Sequence, residues 1–171
     1  IIGIYKSQNI TLKSLIVRDE AQSDSSAIGI TVDQQSQHCT INDCDLESVS
    51  LLVSGSSSVS VKHSFIIGCQ NQSGVDVREE SQVTLLTSNV TNCESAILSE
   101  DNSVVICDDC EFSGHTGECI LLENTNGKIK NSRVFGNAKA GITIRDTDDY
   151  ERSKPFTISH SKIYNNSHTG I

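Results

Sequence analysis

The chain has no Trp, no Met and a single Pro, and its aromatic residues amount to 4% of 171 positions. A large compact core built on aromatic anchors is excluded by that shortage. Cations are also scarce: 13 Lys plus Arg stand against 22 Asp plus Glu, a formal net charge of -9. A protein that tracks nucleic-acid phosphates needs basic clusters, so no nucleic-acid partner is expected. No apolar run approaches the roughly 20 residues of a membrane helix, no signal peptide is visible, and no membrane association is expected. The missing Met implies that position 1 is not a translation start. Residues 1–171 are expected to form one segment of a longer multidomain protein. What is plentiful is Ser, Val and Ile, which does not suit disorder.

The Ser, Val and Ile are periodic. A pattern of apolar-x-apolar-x-x-small-x-apolar recurs seven times, with its small-residue anchor at 15, 44, 64, 88, 110, 132 and 161. Clear copies are Val59-Ser-Val61-Lys-His-Ser64-Phe-Ile66 and Val83-Thr-Leu85-Leu-Thr-Ser88-Asn-Val90. The anchors lie 20 to 29 residues apart. A second motif, a small residue followed by alternating apolar positions, precedes most copies, as in Gly74-Val-Asp-Val77 and Gly141-Ile-Thr-Ile144. Alternation of period two gives each short strand one buried and one wet face. Such a unit cannot bury its apolar side alone; stacking coil on coil does so. The expected fold is all-β, a solenoid of about seven coils with three short strands per coil.

Four inward columns follow. The first is Ile10, Cys39, Val59, Val83, Val105, Gly127, Phe156, and the second is Leu12, Ile41, Val61, Leu85, Cys107, Ile129, Ile158. The third, small enough for a tight corner, is Leu15, Cys44, Ser64, Ser88, Cys110, Ser132, Ser161. The fourth is Val17, Leu46, Ile66, Val90, Phe112, Val134, Ile163. Thr11, Thr40, Ser60, Thr84, Lys128 and Thr157 fall between them and should face water. Five residues after the anchors lies a turn column, Cys69, Cys93, His115, Asn137 and Asn166, expected to adopt a left-handed conformation. His63 and His160 sit just before Ser64 and Ser161 and read as polar corner residues; His38 and His168 fall in loops.

This pattern resembles the right-handed parallel β-helix of pectate lyases and polygalacturonases. The phrases Gly136-Asn-Ala-Lys-Ala-Gly141-Ile-Thr-Ile144 and Ile163-Tyr-Asn-Asn-Ser-His-Thr-Gly170-Ile171 look closer to the β-helices of F-box ubiquitin-ligase subunits and SHC SH2-domain-binding proteins. That resemblance implies a non-catalytic recognition or adaptor module with a protein partner. The lyase-like relatives imply the alternative, a carbohydrate-active or carbohydrate-binding β-helix. A structural segment of an adhesin or fibre is the third possibility. Repeats of this kind specify architecture rather than activity.

Two coils carry insertions, Arg18–Ala27 and Arg145–Pro155. Solenoid insertions map to loops, often on a binding face. The second offers Arg145, Asp146, Asp148, Asp149, Tyr150 and Arg152 as candidate binding residues. The chain shows no polar cap at either end, so further coils, a cap or another domain should flank it.

The cysteines number seven, an odd count without framework spacing, which argues against a disulfide scaffold and for the cytoplasm. Four Asn-x-Ser/Thr sequons, at Asn9, Asn71, Asn89 and Asn165, point the other way, to secretion or the cell surface. Cys69 and Cys93 occupy one column on adjacent coils, where an oxidising setting could pair them. The run Cys107-Asp-Asp-Cys110-Glu-Phe-Ser-Gly-His115-Thr-Gly-Glu-Cys119 resembles a zinc knuckle. Every member is already explained by a column, so no metal and no cofactor are expected. Asp108, Asp109 and His115 also resemble a polygalacturonase acid pair and its His. They fall within one coil instead of lining one cleft, and no catalytic residue is assigned.

Overall fold

The computed structural model describes residues 1–19, 27–145 and 155–171. Its strands form three parallel sheets of seven strands each. The first sheet runs from Ile2–Tyr5 to Ile142–Arg145, the second from Thr11–Lys13 to Phe156–Ser159, and the third from Ile16–Arg18 to Lys162–Tyr164. The chain visits the sheets in that order once per coil, so each strand pairs with the equivalent strand of the next coil. Coils one to seven are stacked in sequence order, and the five between the ends have neighbours on both sides. None of the described residues forms a helix long and apolar enough to cross a membrane.

The register reproduces the inward columns residue by residue. Cys39 pairs with Val59, Val59 with Val83, Val83 with Val105, Val105 with Gly127 and Gly127 with Phe156. The second column follows the same strands, and the fourth runs unbroken from Val17 to Ile163. Their side chains make one continuous core, with Phe112, Leu85, Ile129 and Ile66 among those fully enclosed. Burial of this kind is the main stabilising term, about 25 cal/mol per Å² of apolar surface.

The corner between the second and third sheets is a hydroxyl ladder. Each Ser Oγ accepts the amide N–H of the coil before it: Ser64 from Cys44 (3.1 Å), Ser88 from Ser64 (3.2 Å), Ser132 from Cys110 (3.1 Å) and Ser161 from Ser132 (3.2 Å). Each also donates to the carbonyl two residues earlier, at 2.7 to 2.9 Å. The residue before every anchor has positive φ: Ser14, Asp43, His63, Thr87, Asp109, Asn131 and His160. Short polar side chains tolerate that conformation best. Leu15 departs from the inward expectation and is 36% exposed. It belongs to coil one, which has a neighbour on one side only.

A second ladder of buried hydroxyls lines the corner between the first and second sheets. Ser36 accepts from the Ser7 amide, Ser57 from Ser36 and Ser81 from Ser57, at 3.1 to 3.2 Å. Ser103 interrupts the run, its Oγ buried without a hydrogen-bond partner. Thr125 follows at the same corner, its Oγ1 lying 3.0 Å from the carbonyl oxygens of both Ser99 and Glu123.

Candidate functional site

The third corner holds the turn column, and here the conformational expectation needs correction. The left-handed residues are Ser48, Gly68, Asn92, Gly114, Gly136 and Asn165, one position before the column. The column itself turns inward. His115 and Asn137 are each 1% exposed, and Cys69 and Cys93 are equally enclosed. His115 Nδ1 accepts the Cys93 amide at 3.3 Å, and its Nε2 lies 3.0 Å from the Val90 carbonyl oxygen. That pattern corresponds to imidazole protonated on Nε2. The His115 amide in turn donates to Asn137 Oδ1 at 3.0 Å.

The zinc-knuckle spacing is taken apart by the same geometry. Cys107 faces the core between Leu85 and Ile129. Cys110 lies at the hydroxyl corner, its Sγ 3.4 Å from the Leu85 and Asp108 carbonyls. Cys119 occupies the small-residue position of Ala96 and Gly141 on the first sheet. Both ring nitrogens of His115 are engaged. Among the described residues, no group of three or more His, Cys, Asp or Glu is arranged to hold a metal ion.

All seven cysteines are buried free thiols. Burial pushes Cys110 up to about 11 and raises Cys107 and Cys119 as well. Cys69 and Cys93 meet across adjacent coils. Cys93 is held lower, because its neighbours Cys69 and His115 favour its thiolate; the same pairing and burial push up Cys69, whose Sγ lies 3.0 Å from the Val49 carbonyl oxygen.

The carboxylate pair fares no better as a cleft. Asp108 is on the outer surface, 2.8 Å from Lys130 Nζ and 2.8 Å from Asn131 Nδ2, and these partners hold its carboxyl below the usual value. His115 is on the inside of the next corner. The two side chains therefore lie on opposite sides of the coil wall. Of the loop candidates, Arg145 is described: it spans Glu118 and Glu123 of the preceding coil, at 3.2 and 3.1 Å. Asp146, Asp148, Asp149, Tyr150 and Arg152 lie outside the described residues.

What remains exposed are three flat faces of different character. The outer column of the first is half-buried and mixed, with Leu52, Asp76, Leu98 and Leu121 in register. Strands of the second carry Lys13, Lys62, Lys128 and Lys130 against Asp108 as the one acidic residue. Down its centre run Thr11, Thr40, Ser60 and Thr84. His38, Thr40, Ser58, Ser60, Gln82 and Thr84 line a shallow depression of about 270 Å³ there.

The third face has two outward columns. From coil one to coil seven, the first reads Ile16, Asp45, Phe65, Asn89, Glu111, Arg133, Lys162. The second reads Arg18, Glu47, Ile67, Thr91, Ser113, Phe135, Tyr164. Ile16, Phe65, Ile67 and Tyr164 are 58%, 51%, 41% and 41% exposed. Phe135 stacks on Tyr164 with ring centroids 5.1 Å apart. The repeat itself gives the first column from Asp45 to Lys162, with its mixed signs; the second column and the Phe135–Tyr164 stack emerge only with the register.

Three parallel sheets, one strand of each per coil, with ladders of like residues at every corner, decide the family. A family model described as the right-handed β-helix region matches residues 49–171. The chain belongs to the right-handed β-helix family. No curated protein matches it. In a β-helix the interior is packed coil on coil, so chemistry has to sit on an outer face or in an inserted loop. In this β-helix the buried His and thiols are committed to the ladders and the core, which leaves the outer faces and the inserted loops to carry function.

Proposed function

We propose that this β-helix is a non-catalytic protein-recognition and scaffold module, a substrate-recognition or adaptor unit of a larger cytoplasmic protein. The observation that carries the proposal is the segregation of charge. The strands of the second sheet hold four Lys and one Asp, in a chain of net charge -9. Of those cations, Lys130 is paired with Asp108, whereas Lys13, Lys62 and Lys128 make no ion pair among the described residues. A flat, cationic, hydroxyl-studded face suits an extended acidic protein segment, which it would steer electrostatically and hold by many weak contacts. The seven free thiols support the cytoplasmic setting.

The carbohydrate alternative has one observation in its favour, the depression lined by hydroxyls and an amide on that same face. It lacks an aromatic platform for a sugar ring. Titrating Asp/Glu-rich peptides by fluorescence anisotropy, beside a polygalacturonate turnover assay, separates the two. Peptide binding that weakens with salt and falls at least about tenfold in K62E/K128E supports recognition. Turnover abolished by Asp108→Ala would establish the carbohydrate-active alternative instead.

A further inference from the structure

The third face is distinct from the cationic second face, and its pattern is complementary to itself. We propose that it is a homodimer interface in which two copies of the chain lie antiparallel, face to face. This goes beyond the recognition proposal and does not depend on it.

A two-fold axis parallel to the strands turns the face over and reverses the coil order, while each column stays opposite its own copy. Put that axis between coils four and five. Coil two then meets coil seven, coil three meets coil six, and coil four meets coil five. In the first column, Asp45 faces Lys162, Phe65 faces Arg133, and Asn89 faces Glu111. These are an opposite-charge pair, a guanidinium over an aromatic ring and an amide donor to a carboxylate. In the second column, Ile67 faces Phe135, Thr91 faces Ser113, and Glu47 faces Tyr164. These are an apolar contact, a hydroxyl pair and a phenol donor to a carboxylate. The symmetry makes every contact twice.

The alternatives one coil away are worse. One shift keeps an Asp45–Arg133 pair but sets Phe65 against Glu111 and Lys162 against Ile16. The other places Glu111 on its own copy, a like-charge contact that disfavours the register. Two further features fit the proposed register. Neither Asp45 nor Lys162 has an ion-pair partner among the described residues. The Phe135–Tyr164 stack is already formed within one chain, so the apolar anchor opposite Ile67 is preorganised.

Six facing strands, those of coils two to seven, about 4.8 Å apart and with a width of about 15 Å including the corners, give roughly 430 Å² per protomer. Both protomers together reach only the low end of specific interfaces. The dimer is accordingly weak and concentration-dependent.

Sedimentation velocity on the chain over a wide concentration series tests this, with circular dichroism as the check on folding. Wild type should pass from monomer to dimer. D45K and K162D alone each set like charges face to face twice, and each should weaken the dimer at least about tenfold. An equimolar mixture of the two variants, and the D45K/K162D double variant, both restore every opposite-charge contact. Both should return to near wild-type affinity. A wild type that stays monomeric at every concentration overturns the proposal. So does a dimer that the single variants leave intact, or a mixture no better associated than its components.

Discussion

His115 Nε2 holds the Val90 carbonyl oxygen of the preceding coil at 3.0 Å. Two coils on, Asn166 does the same work with an amide: its Oδ1 accepts the Asn137 amide at 3.3 Å and its Nδ2 donates to the Val134 carbonyl at 3.3 Å. The imidazole is thus a substitute for Asn in a polar ladder. His115→Asn should change stability by less than about 1 kcal/mol in urea unfolding. His115→Leu leaves the Cys93 N–H and the Val90 carbonyl without this partner, and should cost about 2–3 kcal/mol. A catalytic or metal-binding His would not be replaceable by Asn in this way.

Cys107 and Cys110 are three residues apart, yet the same substitution should have different effects at each. Cys110 stands in the corner ladder, between Ser88 and Ser132. A hydroxyl there can donate to the Asp108 carbonyl, as the other four ladder serines do to theirs, and can offer the Ser88 amide an acceptor. Cys110→Ser should therefore lie within about 0.5 kcal/mol of wild type. Cys107 is fully enclosed between Leu85 and Ile129, and its thiol makes no hydrogen bond among the described residues. Cys107→Ser should cost about 1–3 kcal/mol, because a buried hydroxyl is left unpaired. Equal losses at both sites in chemical denaturation would contradict the ladder.

Much of this was legible in the sequence, for a physical reason. A column residue has the same neighbours above and below, so its size and polarity repeat at each coil, and four inward columns could be written down before the structure. The sequence does not separate an inward from a left-handed turn column, because Asn serves two purposes, as a left-handed corner residue at Asn92 and as an inward ladder residue at Asn137. The ladder of Ser36, Ser57 and Ser81 does not stand out in the sequence, because Ser is common throughout the chain. The apparent metal motif failed for a related reason: in a solenoid, nearness in sequence sends Cys107, Cys110 and His115 to different walls.

Buried thiols make stability sensitive to alkaline pH. An unfolded Cys ionises near pH 8.5–9. Burial holds Cys110 protonated up to about 11 and raises Cys107 and Cys119 too. A raised native value gives stability that is complete below the unfolded value and lost as pH climbs toward the native one. Cys93, held lower, acts in the opposite sense below about pH 9, so the window to examine is pH 9–11. The urea midpoint should fall across that window. Cys119→Ala, which places Ala where coil five already has Ala96, should flatten the fall; an unchanged slope would remove the thiols as its cause.

Gly127 separates what the repeat suggests from what the backbone permits. Its column reads Val59, Val83 and Val105 in the three coils before it, so Val is the obvious consensus replacement. Gly127, however, has φ +139°, and a Cβ there would run into the Val105 carbonyl oxygen of the neighbouring coil. Backbone rather than a flexible side chain would have to move, within a parallel pairing that fixes both strands. Gly127→Val should therefore destabilise the protein by at least about 2 kcal/mol, despite adding apolar surface to the core column. Gly136 is the control. It also has positive φ, +66°, but open space where a Cβ would go. Gly136→Ala should cost only about 1 kcal/mol, the conformational part of the penalty alone. If thermal and urea unfolding placed Gly127→Val at or above wild type, the local geometry of coil six would be wrong, and with it the register that links coil five to coil seven.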